Sequence, residues 1–385
     1  MPEFDFDAPI DRRHSDSVKW DYPNDILPMW VADTDFMAPP AVIEALHRRV
    51  NHGVFGYHRE SPTLRQTVVQ WVAERYGWDI EPEWLIFPPD VMVGMNWAAQ
   101  MVARPGDGVL LQSPVYRPFF RLVRYGGFTL QDAPLAEDAS GRWRMELAAL
   151  ERAADDRTRV FLLCNPQNPT GRVFTRAELE SLAQFCFERD ILILADEIHA
   201  DLIYAESHHI PIASLGPDIA ARTITFIAPS KTFNIAGLKS AVGIIPNPEL
   251  RERMEASARG LIPVINVLGM TAMEAAYREG GPWLDAMLAY LQKNRDHLLG
   301  VIDAGRLPGV RMARPDGTFL AWLDFRNTPW ADAPARHILE KARVLLNEGD
   351  WFGDRGRGFV RLNFGCPRAT LDEGIERIAR ALRRA

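Results

Sequence analysis

Ala228-Pro-Ser-Lys-Thr-Phe-Asn-Ile-Ala-Gly-Leu-Lys239 follows the apolar run Thr223-Ile-Thr-Phe-Ile-Ala228. That run reads as a buried strand. It stops at Pro229, so Ser230 and Lys231 stand at its carboxyl end, where open α/β sheets gather their ligands. A lysine that loses water there has its pKa lowered and becomes a usable amine nucleophile or base. The chemistry that most needs such an amine is a Schiff base with an aldehyde cofactor. A surface lysine after a strand is the plain alternative, and the rest of the chain decides between them.

The composition is that of an ordinary soluble chain: 385 residues, 47% hydrophobic and 25% charged, with room for one or two domains. Lys and Arg number 44 against 51 Asp and Glu, a net charge of −7. No basic block points to nucleic acid or a membrane surface, so neither partner is expected. The start, Met1-Pro-Glu-Phe-Asp-Phe-Asp, is acidic and lacks the apolar core of a signal peptide. No window reaches the apolar length of a membrane span. Cys164, Cys186 and Cys366 are odd in number and lack metal-type spacing. Reduced thiols in the cytoplasm and no metal are the expectation.

Read in order, the chain alternates strands and helices. Trp30-Val-Ala is short, apolar and strand-like, and Asp33-Thr-Asp breaks it. Pro39-Pro40 opens a helix over 40–51. Gly53-Val-Phe-Gly-Tyr57 reads as a tight loop, and 61–76 as an amphipathic helix opened by Ser61-Pro62 and closed by Gly77. A strand at Ile86, a turn, and a helix to Val102 follow; the N–H groups at Val91 and Met92 would face an anion. Strands at Val109–Gln112, Val160–Cys164 and Ile191–Ala195 each end in polar turn chemistry. Thr175 and Glu178 form a capping box for a helix over 175–189. Core strands interleaved with helices argue for a doubly wound, largely parallel sheet. After about residue 281 a smaller α+β unit follows, with strands at Phe319–Asp324 and Phe359–Asn363. The expected division is an arm with part of the small domain over 1–45, a large domain over 46–280 and a small one over 281–385.

Tyr116, Asn168, Asp196 and Lys231 all stand at strand ends, so they can share one site. Each has a task around a pyridine aldehyde such as pyridoxal 5'-phosphate (PLP). Asp196 can keep the ring nitrogen protonated, Asn168 can donate to the phenolate oxygen and Tyr116 can stack on the ring. Ser230, Lys239 and the N–H groups of Val91 and Met92 can hold the phosphate. Taken singly, Asn168-Pro-Thr-Gly171 is also a plain turn, Asp196-Glu197 also a helix cap or metal ligand, and Tyr116 also core packing. Their order along one chain is what speaks against coincidence.

With an arginine in a C-terminal strand, these residues resemble the fold-type I PLP enzymes of the aspartate aminotransferase superfamily. Lys19-Trp-Asp21, Trp30-Val-Ala-Asp-Thr-Asp-Phe36, Ser113-Pro-Val-Tyr116, Asn165-Pro-Gln-Asn-Pro-Thr-Gly171, Asp196-Glu-Ile-His-Ala-Asp201, Ser230-Lys231 and Gly358-Phe-Val-Arg-Leu-Asn-Phe-Gly-Cys-Pro367 are similar to the MalY/PatB branch. That branch consists of cystathionine β-lyases and cysteine-S-conjugate β-lyases. The resemblance runs from about residue 4 to the end. It implies the PLP-dependent transferase fold, a large doubly wound mixed-sheet domain plus a smaller α+β domain. It makes Lys231 the Schiff-base lysine and the base at Cα, Asp196 the ring-nitrogen partner and Tyr116 the stacking ring. Arg361 would clamp the substrate carboxylate, and Asp33–Phe36 with the region 259–266 would shape the pocket for the substituent on sulfur. Tyr57 would reach the neighbouring subunit's cofactor, so a homodimer is implied. His199 stands where the aspartate aminotransferases carry Tyr, and Ala228 where a phosphate-binding Ser is frequent. The implied reaction is β-elimination, yielding a thiol, pyruvate and ammonia. An aminotransferase on the same fold is the alternative, and a PLP-fold binding or regulatory protein a further one.

Overall fold

The computed structural model describes residues 4–258 and 260–385. A seven-stranded sheet dominates. Its spatial order is Leu85–Ile86, Val242–Ile244, Thr223–Ile227, Leu192–Asp196, Thr158–Cys164, Gly108–Leu111 and Thr129–Asp132. The last five run parallel. Val242–Ile244 runs antiparallel to both of its neighbours, which makes the sheet mixed. Thr158–Cys164, Leu192–Asp196 and Thr223–Ile227 are buried nearly throughout, as parallel strands covered on both faces must be. Their apolar runs are therefore continuous rather than alternating.

The helices follow the expected signals closely. Pro40–Asn51 starts on its proline. Arg176–Glu188 carries the Thr175–Glu178 capping box in full. The helix expected over 61–76 begins only at Leu64, because Ser61-Pro-Thr63 forms a turn before it; it ends at Gly77 in the left-handed region as read. Its buried residues, Leu64, Val68, Trp71, Val72 and Tyr76, lie on one helical face.

Beyond the 23-residue helix Gly281–Asp303 stands a second, antiparallel sheet, in the order Arg311–Met312, Leu320–Asp324, Phe359–Asn363, Asn347–Glu348. Its register sets Arg361 opposite both Trp322 and Asn347. The N-terminal arm joins this side through a short parallel pair, Leu27–Pro28 with Val344–Leu345.

Trp30–Ala32 is not a strand, contrary to the sequence reading. The backbone carbonyls of this stretch are taken by side chains instead of a ladder. Arg361 donates to Trp30 O, Lys231 to Ala32 O, and Asn363 to the carbonyls of Val31 and Asp33. Asn234 donates to the carbonyls of Thr34 and Phe36 and accepts from the N–H of Thr34. The segment Trp30–Phe36 is thus a strap laid across the ends of the large sheet.

Candidate active site

Four adjacent strands deliver the predicted constellation. Gly108–Leu111 leads to Tyr116, Thr158–Cys164 to Asn168, Leu192–Asp196 ends on Asp196, and Thr223–Ile227 leads to Lys231. The parallel register pairs Cys164 with Asp196 and Asp196 with Phe226, so the three chains leave the sheet at one level. A cavity of about 280 Å³ opens there. Val91, Met92, Tyr116, Asn168, Asp196, His199, Ser230, Lys231 and Lys239 all line it.

The turn Asn165–Gly171 holds Asn168 in place. Gly171 has φ +70, and a Cβ there would collide with Pro315, so glycine is required twice over. Asn168 Oδ1 accepts from Arg361 Nη1 at 2.9 Å, which leaves its Nδ2 free to donate elsewhere. Arg361 also donates through Nη2 to Asn347 Oδ1 (2.6 Å) and Trp30 O (2.8 Å). Its Nε has no partner, and it forms no ion pair among the described residues. Burial lowers its pKa to about 10.

Lys231 Nζ donates to Ala32 O at 2.7 Å. Burial lowers its pKa to about 8, while the charges of Asp33 and Asp196 work the other way. Asp196 is buried and accepts one backbone N–H, from Ile198 at 3.1 Å. Burial pushes its carboxyl up to about 7. His199 is pushed down to about 3, first by burial and then by the nearby Lys231 and Arg361, so its ring stays neutral. Burial raises the Tyr116 phenol as well.

At the other end of the cavity the helix Val91–Val102 begins. Val91 and Met92 open it, where no preceding turn offers a carbonyl. Asp90 caps it, accepting from Val93 N–H at 2.8 Å, and its second oxygen lies 3.2 Å from Lys239 Nζ.

Three predicted residues lie outside the cavity lining. Arg361 meets it through Asn168. Asp33 has its carboxylate held by Arg12, with Nη2–Oδ2 at 2.7 Å and Nη1–Oδ1 at 3.2 Å, which ties the strap to the N-terminal arm. Tyr57 is fully exposed on its own loop. Of the region 259–266, Arg259 lies outside the described residues.

Some residues here escaped the sequence reading. Asp90 had a visible signal, an acidic residue directly before a helix. Ser240 had none; it lines the cavity, is buried, and its Oγ has no partner. Asn347 was found only through its contact with Arg361.

Comparison with known proteins places the chain in a family. The family model for aminotransferase class I and II matches residues 25–378. Cystathionine beta-lyase PatB of Bacillus subtilis (strain 168) is 41% identical over 386 residues, spanning 98% of this chain and 99% of that protein. Protein MalY of Escherichia coli (strain K12) is 34% identical over 392 residues, spanning 99% of each. The crystal structure of cystalysin from Treponema denticola, which contains a pyridoxal 5'-phosphate cofactor, superposes with a TM-score of 0.94 at 33% identity over 99% of each chain. Strand ends, cavity and full-length similarity lead to one assignment: the chain belongs to the aminotransferase class I and II family, in its MalY/PatB branch.

Proposed function

We propose that this protein is a PLP-dependent carbon–sulfur β-lyase that cleaves cystathionine or a related S-substituted L-cysteine to a thiol, pyruvate and ammonia. The observation that carries the reading is the convergence of Lys231, Asp196, Asn168 and Tyr116 on one cavity in a chain 41% identical to a cystathionine β-lyase.

The residues present fit the cofactor. Asp196 is a buried carboxylate with a single backbone donor, an environment that a protonated ring nitrogen completes. Ser240 Oγ and His199 Nδ1 are buried polar atoms without partners at the same cavity. When bound, PLP supplies the electron sink that makes the substrate Cα–H acidic and lets a β-substituent depart with its electrons. Lys231 would hold the cofactor, and its Nζ moves the proton at substrate Cα. A positioned base of this kind contributes about 10²–10⁴-fold. Arg361, buried and without a carboxylate partner, binds the substrate carboxylate through its fork. Asn168 turns its oxygen to Arg361, and its NH2 would donate to the cofactor's phenolic oxygen. Tyr116 would stack on the ring. Ser230, Lys239 and the N–H groups of Val91 and Met92 form the phosphate cradle.

Pyruvate is the decisive product. With L-cystathionine or a simple cysteine conjugate, pyruvate is expected to form without added keto acid. A product that requires a keto acid, with no pyruvate, would establish the aminotransferase reading instead.

The same reading includes a cytoplasmic homodimer with shared sites. The three cysteines are buried and unpaired, and no helix among the described residues is long and apolar enough to cross a membrane. Val54 and Phe55 are exposed on one loop and Leu261 and Val264 on another, and a contact between His58 Nε2 and Ile265 O, 2.8 Å apart, ties the two loops together. An exposed apolar surface of this kind suits a second subunit. Tyr57, on the same loop, then reaches the partner's phosphate. The division at about residues 45 and 280 belongs to this reading too, supported by the two separate sheets.

Mixing inactive Tyr57→Phe with inactive Lys231→Ala tests this. In hybrid dimers one site carries both lesions and the other neither, so activity is expected to return in part. Subunit exchange shown by mass spectrometry with no recovery would keep Tyr57 in its own subunit. Arg361→Ala mixed with Lys231→Ala is the control and should show no rescue.

A further inference from the structure

Asp201 ends the loop that Asp196 begins, yet it does not line the cavity. Its carboxylate is buried and held by three neutral donors. Oδ1 accepts from Trp71 Nε1 (3.1 Å) and Tyr76 OH (2.7 Å), and Oδ2 from Thr232 Oγ1 (2.8 Å). Trp71 and Tyr76 belong to the helix Leu64–Tyr76, which contributes no residue to the cavity lining. Burial raises the Asp201 carboxyl, so an ionised group here stands against a desolvation cost. Arg75, whose ion pair is with Asp285, offsets only part of that cost from a distance, and a buried carboxylate with no ion pair of its own among the described residues calls for a reason.

Thr232 supplies one. It is the residue after Lys231, on the four-residue helical turn Pro229–Thr232. A single turn does not hold itself in place, because nucleation outweighs so few hydrogen bonds. This one has no side-chain cap. Its Lys231 amine bonds to the strap at Ala32 O, the contact it must give up to act on a substrate. Among the described residues, Thr232 Oγ1 is then the turn's remaining side-chain hydrogen bond, and it ties the turn to the large sheet and its helices through Asp201.

We propose that Asp201 is a positioning residue for the elimination: through Thr232 it fixes the turn that carries Lys231, so the amine keeps its line to the substrate Cα after it leaves Ala32 O. The inference rests on Lys231 being the base at Cα. It does not depend on the roles given to Asn168, Tyr116 or the phosphate cradle.

The test compares two donors to the same carboxylate in the holoenzyme. Thr232→Val removes the link to the lysine turn, and Tyr76→Phe removes a link that leads away from it. Displacing a reacting group by about 1 Å can cost about 100-fold. Thr232→Val is therefore expected to lower kcat between about 10- and 100-fold, with KM nearly unchanged. The isotope effect on kcat with Cα-deuterated substrate should rise, because proton transfer becomes slower than the other steps. The visible circular dichroism band of the bound cofactor should weaken as well, a readout that needs no turnover. Thr232→Ser should restore all three. Tyr76→Phe should lower Tm and leave the isotope effect and the dichroism at wild-type values. If Thr232→Val does not fold, Thr232→Ala is read by the same quantities. Wild-type isotope effect and dichroism in the Thr232 variant, with Lys231→Ala inactive, overturn the inference alone. Activity in Lys231→Ala removes the underlying reading whatever Thr232 does.

Discussion

Lys231→Ala is expected to lower pyruvate production by about 10⁴-fold, the upper end of what a positioned base supplies. The argument starts from where the amine sits. A strand buried along its whole length ends two residues before Pro229, and Lys231 emerges at the cavity with its Nζ 2.7 Å from Ala32 O. Burial brings its pKa from 10.5 to about 8. The neutral fraction of the amine therefore climbs through the range just above neutrality, where an ordinary surface lysine stays protonated. Borohydride reduction of the holoenzyme should fix the cofactor to the peptide containing Lys231 and to no other. Lys239 is the built-in control. It lines the same cavity but is exposed and paired with Asp90 at 3.2 Å. A reduced adduct on Lys239, or wild-type activity in Lys231→Ala, would end the assignment. Activity at saturating substrate should rise with pH through about 8 and then level off, since deprotonation of a base raises the competent fraction.

The strand ends were legible because each one marks a change of chemistry. A continuous apolar run followed by Asn, Asp or Ser-Lys is visible without coordinates, and in a parallel sheet such ends must fall together. What the run could not reveal was direction. Val242–Ile244 looks like its neighbours, yet it pairs antiparallel to Thr223–Ile227. Trp30–Ala32 was misread for a related reason. Its residue types suit a strand, but Arg361 and Asn363 lie more than 300 positions away, and their side chains claim its carbonyls. Nothing local in the sequence shows that Arg12 pairs with Asp33. Ser240, Asn347 and the Asp201 network are products of packing. A single buried hydroxyl or amide carries no periodic signal, and its meaning appears only with its neighbours.

Asp196→Ala is expected to cut kcat by about 10³-fold, the scale seen when one preorganised electrostatic partner is removed. KM should change far less. The reason is that the charge balanced by Asp196 grows as the Cα proton leaves, so the carboxylate is worth more at the transition state than with substrate merely bound. The same residue should weaken the cofactor-free fold. Burial raises its pKa from 3.8 to about 7, so the folded chain holds a proton that the unfolded chain has already released between those values. Fewer protons are bound in the unfolded state, and stability falls as pH rises through that window. Asp196→Asn removes the titration while keeping the shape. In the cofactor-free protein its Tm should match wild type at about pH 4 and exceed it at about pH 8. The holoenzyme should reverse the order, because the ring nitrogen of bound PLP then pairs with the wild-type carboxylate and has no such partner in the variant. An unchanged kcat in Asp196→Ala would remove its role at the ring. Equal Tm values for the two cofactor-free proteins at both pH values would mean that the buried carboxylate is already neutralised from within the chain, and the cavity would then lack the charge that selects a protonated pyridine.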